Sequence, residues 1–190
     1  MSEESMNNGP HSPGIYALWL SLWASVVVIT GACSSEPGPR AKAVEVIASS
    51  QWEHVARDED PFVVKFPESV TECVATGIDV SEGLLDIDTD YCSFVTARTQ
   101  LTDEIREGEK VQLTFWHLAL VANEPAEGVM VLRVGDDDLF NLTFEIPRNE
   151  KVYYPTTQAT RSYPAGTPVL LHIHNHGANT WKVYQPPLSS

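Results

Sequence analysis

Val129-Met-Val-Leu-Arg-Val134, Gly135-Asp-Asp-Asp138 and Leu139-Phe-Asn-Leu-Thr-Phe-Glu-Ile146 follow one another without a break. The first block is an apolar run, the second is turn chemistry, and the third alternates apolar with polar residues. Together they read as strand, hairpin turn and strand. Runs of the same kind recur on both sides: Ala43 to Ile47, Phe62 to Phe66, Val70 to Ala75, Phe94 to Ala97, Val111 to Val121, Val169 to His174 and Thr180 to Tyr184. None shows a convincing 3.6-residue period. Short strands at regular spacing imply an all-β fold, an antiparallel β-sandwich of jelly-roll-like form. Asn175-His-Gly-Ala-Asn179 reads as a second hairpin turn by the same chemistry.

A faint internal echo sets the phase of two of these strands. Gly108, Val111, Leu113 and Phe115 recur 58 positions later as Gly166, Val169, Leu171 and Ile173. Side chains two apart on a strand share a face, so both apolar sets are expected to point into one interior. Their polar neighbours then point outward.

The 190 residues carry 26 acidic and 12 basic side chains, a net charge of −14, with no basic cluster. Nucleic acid and anionic lipid headgroups are therefore disfavoured partners, since both need a positive patch that releases counterions. Aromatic and β-branched residues are too abundant for a disordered chain, so the acidity reads as a solvated surface around a real core.

Ile15 to Ala32 carries no charge and runs directly into Cys33, followed by Ser34-Ser35 and a Pro/Gly-rich stretch. Its length and flanks read as an export signal, and the layout as signal or anchor helix 1–32, flexible tether 33–42 and β-sandwich domain 43–190. Thr30-Gly31-Ala32-Cys33 resembles the lipobox of bacterial lipoproteins. That resemblance implies cleavage before Cys33, a diacylglycerol on its sulfur and an acylated amino terminus. Several acyl chains anchor stably where one is marginal. Ser34 after the cysteine resembles lipoproteins sorted to an outer membrane, facing periplasm or surface. The segment before Ile15 holds Glu3 and Glu4 and no Lys or Arg, which departs from the usual positive start and keeps an uncleaved membrane anchor as the alternative. Cys73 and Cys92, nineteen positions apart, read as a disulfide of an oxidising compartment. Such a loop would stabilise by about 3 kcal/mol in the chain-entropy picture.

The most pointed chemistry is His172-Ile-His174-Asn-His176. Imidazoles two apart on a strand project in parallel and can share one copper or zinc ion, with His117 as third ligand and His54 further off. The spacing resembles that of cupin and superoxide dismutase barrels. Strand phase opposes the larger set, since His117 continues the interior series while His172 and His174 alternate with it. The competing reading makes His117 a hydrogen-bonded core histidine and leaves the others exposed or in turns. The phase also puts Thr114 and Trp116 on the outer face with His172 and His174, if both strands share a sheet. Trp116, joined by Trp181, Tyr153, Tyr154 and Tyr163, would then offer an aromatic platform for a glycan or protein ligand.

Asp86-Ile-Asp88-Thr-Asp90 opens like a calcium loop, with Asp79 and Glu82 as further donors, but Tyr91 stands where an EF-hand needs glycine and Ala97 where it needs glutamate. An acidic loop is the simpler reading. Asn141-Leu-Thr143 matches a glycosylation sequon, which would have no meaning in a bacterial lipoprotein. There is no Gly-x-Ser-x-Gly elbow, phosphate loop or His-Glu-x-x-His helix. The reading that results is a lipid-anchored, non-catalytic cell-envelope module that binds a ligand or partner. A copper- or zinc-binding protein is the alternative.

Overall fold

The computed structural model describes residues 47, 51–65, 77–90, 93–175, 179–184 and 186. The apolar segment before Cys33, Cys33 itself, the Cys73/Cys92 pair and His176 lie outside the described residues. Among the described residues no helix is long and apolar enough to cross a membrane.

Among the described residues twelve strands run in chain order: β1 Glu53–His54, β2 Ile78–Ser81, β3 Leu84–Asp88, β4 Phe94–Gln100, β5 Lys110–Gln112, β6 Thr114–His117, β7 Ala126–Val134, β8 Asp137–Ile146, β9 Lys151–Tyr153, β10 Thr156–Gln158, β11 Pro168–His174 and β12 Thr180–Tyr184. Sheet I has the order β1-β4-β11-β7-β8, sheet II the order β2-β3-β12-β6-β9, and β10 pairs with β5 in a two-stranded ribbon. Every pairing is antiparallel. The chain is an all-β sandwich, as its strand pattern predicts.

Alternation explains how the sheets meet. Val95, Ala97, Met130, Leu132, Leu171 and Ile173 line the inner face of sheet I, and Leu85, Ile87, Phe115, Trp181 and Val183 line that of sheet II, all fully or nearly fully buried. Phe144 of sheet I packs on Trp181 and Phe115 of sheet II, with ring centroids 5.4 and 5.7 Å apart. Fully burying one such large apolar side chain contributes about 1.5–3 kcal/mol, so this interior dominates the stability. The two echoing sets face this same interior, Val169, Leu171 and Ile173 from sheet I, Phe115 from sheet II and Val111 from the β5–β10 ribbon, with Val111, Leu113, Val169 and Leu171 each at most 1% exposed. Gly108 and Gly166, at φ 78° and 82°, turn the chain into each set.

The β7–β8 hairpin forms where the sequence places it, with a turn shorter than the Gly135 to Asp138 block, because Asp137 and Asp138 already belong to β8. Val134 pairs with Asp137, leaving Gly135-Asp136 as a two-residue turn. Gly135 at φ 58° takes the first central position, as a type II′ turn requires. A bulge between Leu132 and Arg133 absorbs one register step.

Four expectations need correction. Phe62 to Phe66 is not a strand: Val63–Lys65 forms a 3-10 turn, consistent with the lack of alternation in Phe62-Val63-Val64. Val111 to Val121 is not one strand but β5 and β6, split at Leu113 and sent to different sheets. The acidic run Asp86 to Asp90 is a loop only at Thr89 and Asp90, since Asp86 to Asp88 end strand β3. Asp79 lies on β2, which pairs with β3, and Glu82-Gly83 form the turn of that hairpin at φ 51° and 77°. Asn175 to Asn179 is not a hairpin turn either, because β11 lies in sheet I and β12 in sheet II.

Candidate functional site

The histidines predicted to gather are separated by the sandwich. His117 ends β6 with its ring inside the core, 1% exposed, 5.0 Å from Trp181 and 6.1 Å from Phe144 between ring centroids. Its Nδ1 donates to the Leu118 carbonyl at 2.7 Å, which leaves Nε2 to accept from the Tyr153 hydroxyl at 3.2 Å. Arg148 donates to that same hydroxyl at 3.0 Å. Burial lowers the His117 pKa; the Leu118 carbonyl opposes this, and the charges of Arg148 and Lys151 add to it. His117 is the hydrogen-bonded core histidine of the simpler reading.

His172 and His174 lie on the outer face of sheet I, yet neither is exposed, at 0% and 5%. Phe62 stacks flat on His172 with centroids 4.5 Å apart and rings 13° from parallel, and Phe94 meets it edge-on. Thr96 Oγ1 holds His172 Nδ1 at 2.9 Å, and Arg133 caps Phe62 from 4.5 Å. Phe62, Phe94 and Val131 form a small second core there, with Val63, Val129 and Leu170 packed against it. The two histidines are thus built into an apolar cover on one side of the molecule, and His117 into the main core. Among the described residues no group of three His, Cys, Asp or Glu side chains could hold a metal ion.

The acidic run is likewise structural. Asp86 forms an ion pair with Lys182, and Asp88 Oδ1 accepts the backbone N–H of Asp90 at 2.9 Å. Thr89 turns inward. Its hydroxyl donates to the Asn179 carbonyl at 2.7 Å and accepts from Asn175 Nδ2 at 2.9 Å. Asn179 Oδ1 accepts from the Val121 N–H at 2.7 Å. This buried polar knot ties the ends of β3, β11 and β12 together.

The predicted aromatic platform divides in two. Trp181 is fully buried in the main core and is not available to a surface ligand. Trp116 lies half-buried on the outer face of sheet II, in a row that runs Asp79, Asp86, Lys182, Trp116, Val152 across five strands. It does not share a face with His172 and His174, because β6 and β11 belong to different sheets. Tyr163 is buried, its hydroxyl donating to Asp137 at 2.8 Å, while Tyr154 is 64% exposed.

A recess that motif reading missed lies at the β1 edge of sheet I. A cavity of about 550 Å³ is lined by Gln51, Trp52, Glu53, Arg98, Thr99 and Gln100. Trp52 lines the cavity and is partly buried against the main core. Arg98 lies between Glu53 at 3.8 Å and Glu59 at 3.6 Å, so its guanidinium is held without losing access to the cavity. A recess lined by one tryptophan together with amide, guanidinium and carboxylate groups has the size and polarity that suit a small polar ligand with an apolar face. The signal in the sequence was the lone tryptophan in Gln51-Trp52-Glu53; nothing local pairs it with Arg98 and Gln100.

No protein-family model matches the chain, and no curated protein sequence matches it. Among solved structures it is similar to a CBM4 structure, at 12% identity and TM-score 0.39, over 57% of this chain and 84% of that one. It is also similar to the N-terminal cellulose-binding domain of the β-1,4-glucanase C of Cellulomonas fimi, at 14% identity and TM-score 0.42, over 60% and 82%. A third likeness is to the K1 cleaved adhesin domain of Lys-gingipain from Porphyromonas gingivalis, at 15% identity and TM-score 0.37, over 81% and 99%. No ligand follows for this chain from likenesses at that level.

Proposed function

We propose that this chain is a non-catalytic, glycan-binding β-sandwich module, held at a bacterial cell envelope by lipid on Cys33. The observation that carries the ligand half is the cavity around Trp52. A sugar ring presents an apolar face of C–H groups and an equatorial rim of hydroxyls. An indole plane takes the first by stacking and dispersion. Planar side chains such as Gln51, Gln100, Glu53 and Arg98 take the second, each able to donate to or accept from neighbouring hydroxyls. The volume accommodates one to two sugar rings at the usual scale of small-ligand sites. The anchor half is supported by the uncharged stretch Ile15 to Ala32 and the lipobox-like Thr30-Gly31-Ala32-Cys33.

Retardation of the full chain in native gels cast with a panel of soluble polysaccharides tests the ligand half. Trp52→Ala is expected to weaken the retarding interaction on the order of tenfold, since one stacked aromatic is commonly worth about 1.4 kcal/mol. Trp116→Ala is expected to leave it unchanged. Loss in Trp116→Ala alone would move the site to the outer face of sheet II, and no retardation by any polysaccharide would sink the glycan reading. For the anchor half, the wild-type chain made in bacteria should partition into detergent, and Cys33→Ser should not be acylated.

A further inference from the structure

A second recess of about 390 Å³ opens where the edge strand β8 of sheet I meets the edge strand β9 of sheet II. Asn141, Thr143, Phe144, Arg148, Tyr153 and Tyr154 line it. Its feature is the arginine. The chain is strongly acidic, and Arg98, Arg106, Arg133 and Arg161 each sit against a carboxylate. Arg148 has no carboxylate within ion-pair distance among the described residues and instead donates to the neutral hydroxyl of Tyr153 at 3.0 Å. That bond uses one of five N–H donors and orients the planar guanidinium. Tyr153 is itself fixed by His117 and by Phe115, whose ring stacks on it at 4.7 Å. Lys151 lies over the other side of the Tyr153 ring at 5.0 Å and adds a second positive charge.

A half-buried guanidinium is costly to leave without a counter-charge, and a surface this rich in carboxylates could easily have supplied one. An oriented fork with donors to spare matches the two oxygens of a carboxylate. Around it stand the exposed Tyr154 ring and the exposed polar ends of Asn141 and Thr143, which suit a ring bearing hydroxyls. We infer that this recess is a separate subsite for an acidic sugar, a hexuronate whose carboxylate pairs with Arg148 while Tyr154 packs against its ring. The inference rests on the glycan reading for the sugar and on the arginine for the acid.

The test titrates the purified full chain with a hexuronate oligosaccharide and with a neutral oligosaccharide of the same length, by calorimetry and by NMR of the Arg148 Nε–H signal. The hexuronate is expected to bind the wild type and to shift that signal. Binding should weaken tenfold or more in Arg148→Gln, the usual scale for losing a charged hydrogen-bonded contact, and stay undiminished in Trp52→Ala. Equal binding of the acidic and neutral sugars with no effect of Arg148→Gln would overturn this subsite while leaving the glycan reading intact. No binding of either sugar would overturn this subsite, while the glycan reading stands or falls with the polysaccharide panel. Should Arg148→Gln fail to fold, Tyr154→Ala and the wild-type signal decide: an unshifted Arg148 signal at saturation, or full affinity in Tyr154→Ala, overturns the proposal.

Discussion

His172 shows how much a residue's role depends on what covers it. A histidine two positions from another on a strand has the spacing of a metal ligand, yet here one ring face is filled by Phe62 and an edge by Phe94. Its Nδ1 is bonded to Thr96. His172→Ala therefore removes a packed ring and leaves a void. The expected outcome is a loss of about 2–3 kcal/mol in urea unfolding, on the scale of other large-to-small substitutions at buried sites. The same loss should appear with and without a chelator present; a chelator that destabilises only the wild type would return the histidine pair to metal chemistry. Phe62 lies 110 positions from His172, so no local pattern announces this stack.

At the level of elements, the turns were legible where glycine forced them and illegible where charge disguised them. Gly135-Asp136 was readable because its flanks are plainly strand-like. Glu82-Gly83 was hidden within an acidic run that resembles a cation loop, although Ile78, Val80, Leu85 and Ile87 supply the interior faces of its two strands. Glu82 is the one non-glycine residue with positive φ among those described, at 51°. Both central residues of this hairpin are left-handed, as in a type I′ turn, which favours Asn-Gly. Glu82→Asn is expected to stabilise the chain by about 0.5–1 kcal/mol in thermal or urea unfolding, because asparagine tolerates that backbone better. If Glu82 served as a cation ligand, calcium would stabilise the wild type and not the variant.

For the whole molecule, pH is the natural probe of the interior that both sheets share. The His117 pKa is lowered, first by burial and further by Arg148 and Lys151, against the Leu118 carbonyl that raises it. The folded state therefore binds that proton less readily than the unfolded chain. Its contribution to stability is complete above the ordinary histidine value of 6.5 and is lost as pH falls below it. Stability to urea is expected to decline between about pH 7.5 and 5.5, and His117→Gln should show a shallower decline over the same window. Parallel slopes in the two proteins would remove His117 as the source. Asp137 responds later: the Tyr163 hydroxyl and then Arg161 hold its carboxyl below the usual range, so its share is lost only at more acid pH.

By itself the sequence determined the all-β class, the β7–β8 hairpin and the inward phase of Val111, Leu113, Val169 and Leu171, because alternation and turn chemistry act between near neighbours. It also carried the contradiction that placed His117 apart from His172 and His174. Only the tertiary structure decided which strands share a sheet, and with that the fate of every proposed site. Trp181 went to the core and Trp116 to an outer face because one step along a strand reverses the side chain. The recess at Trp52 and the one at Arg148 exist where sheet edges bring residues together, in the first case residues as far apart as Gln51 and Pro168. Long-range strand pairing is set by the summed burial of the whole interior, a quantity that no short stretch of chain contains.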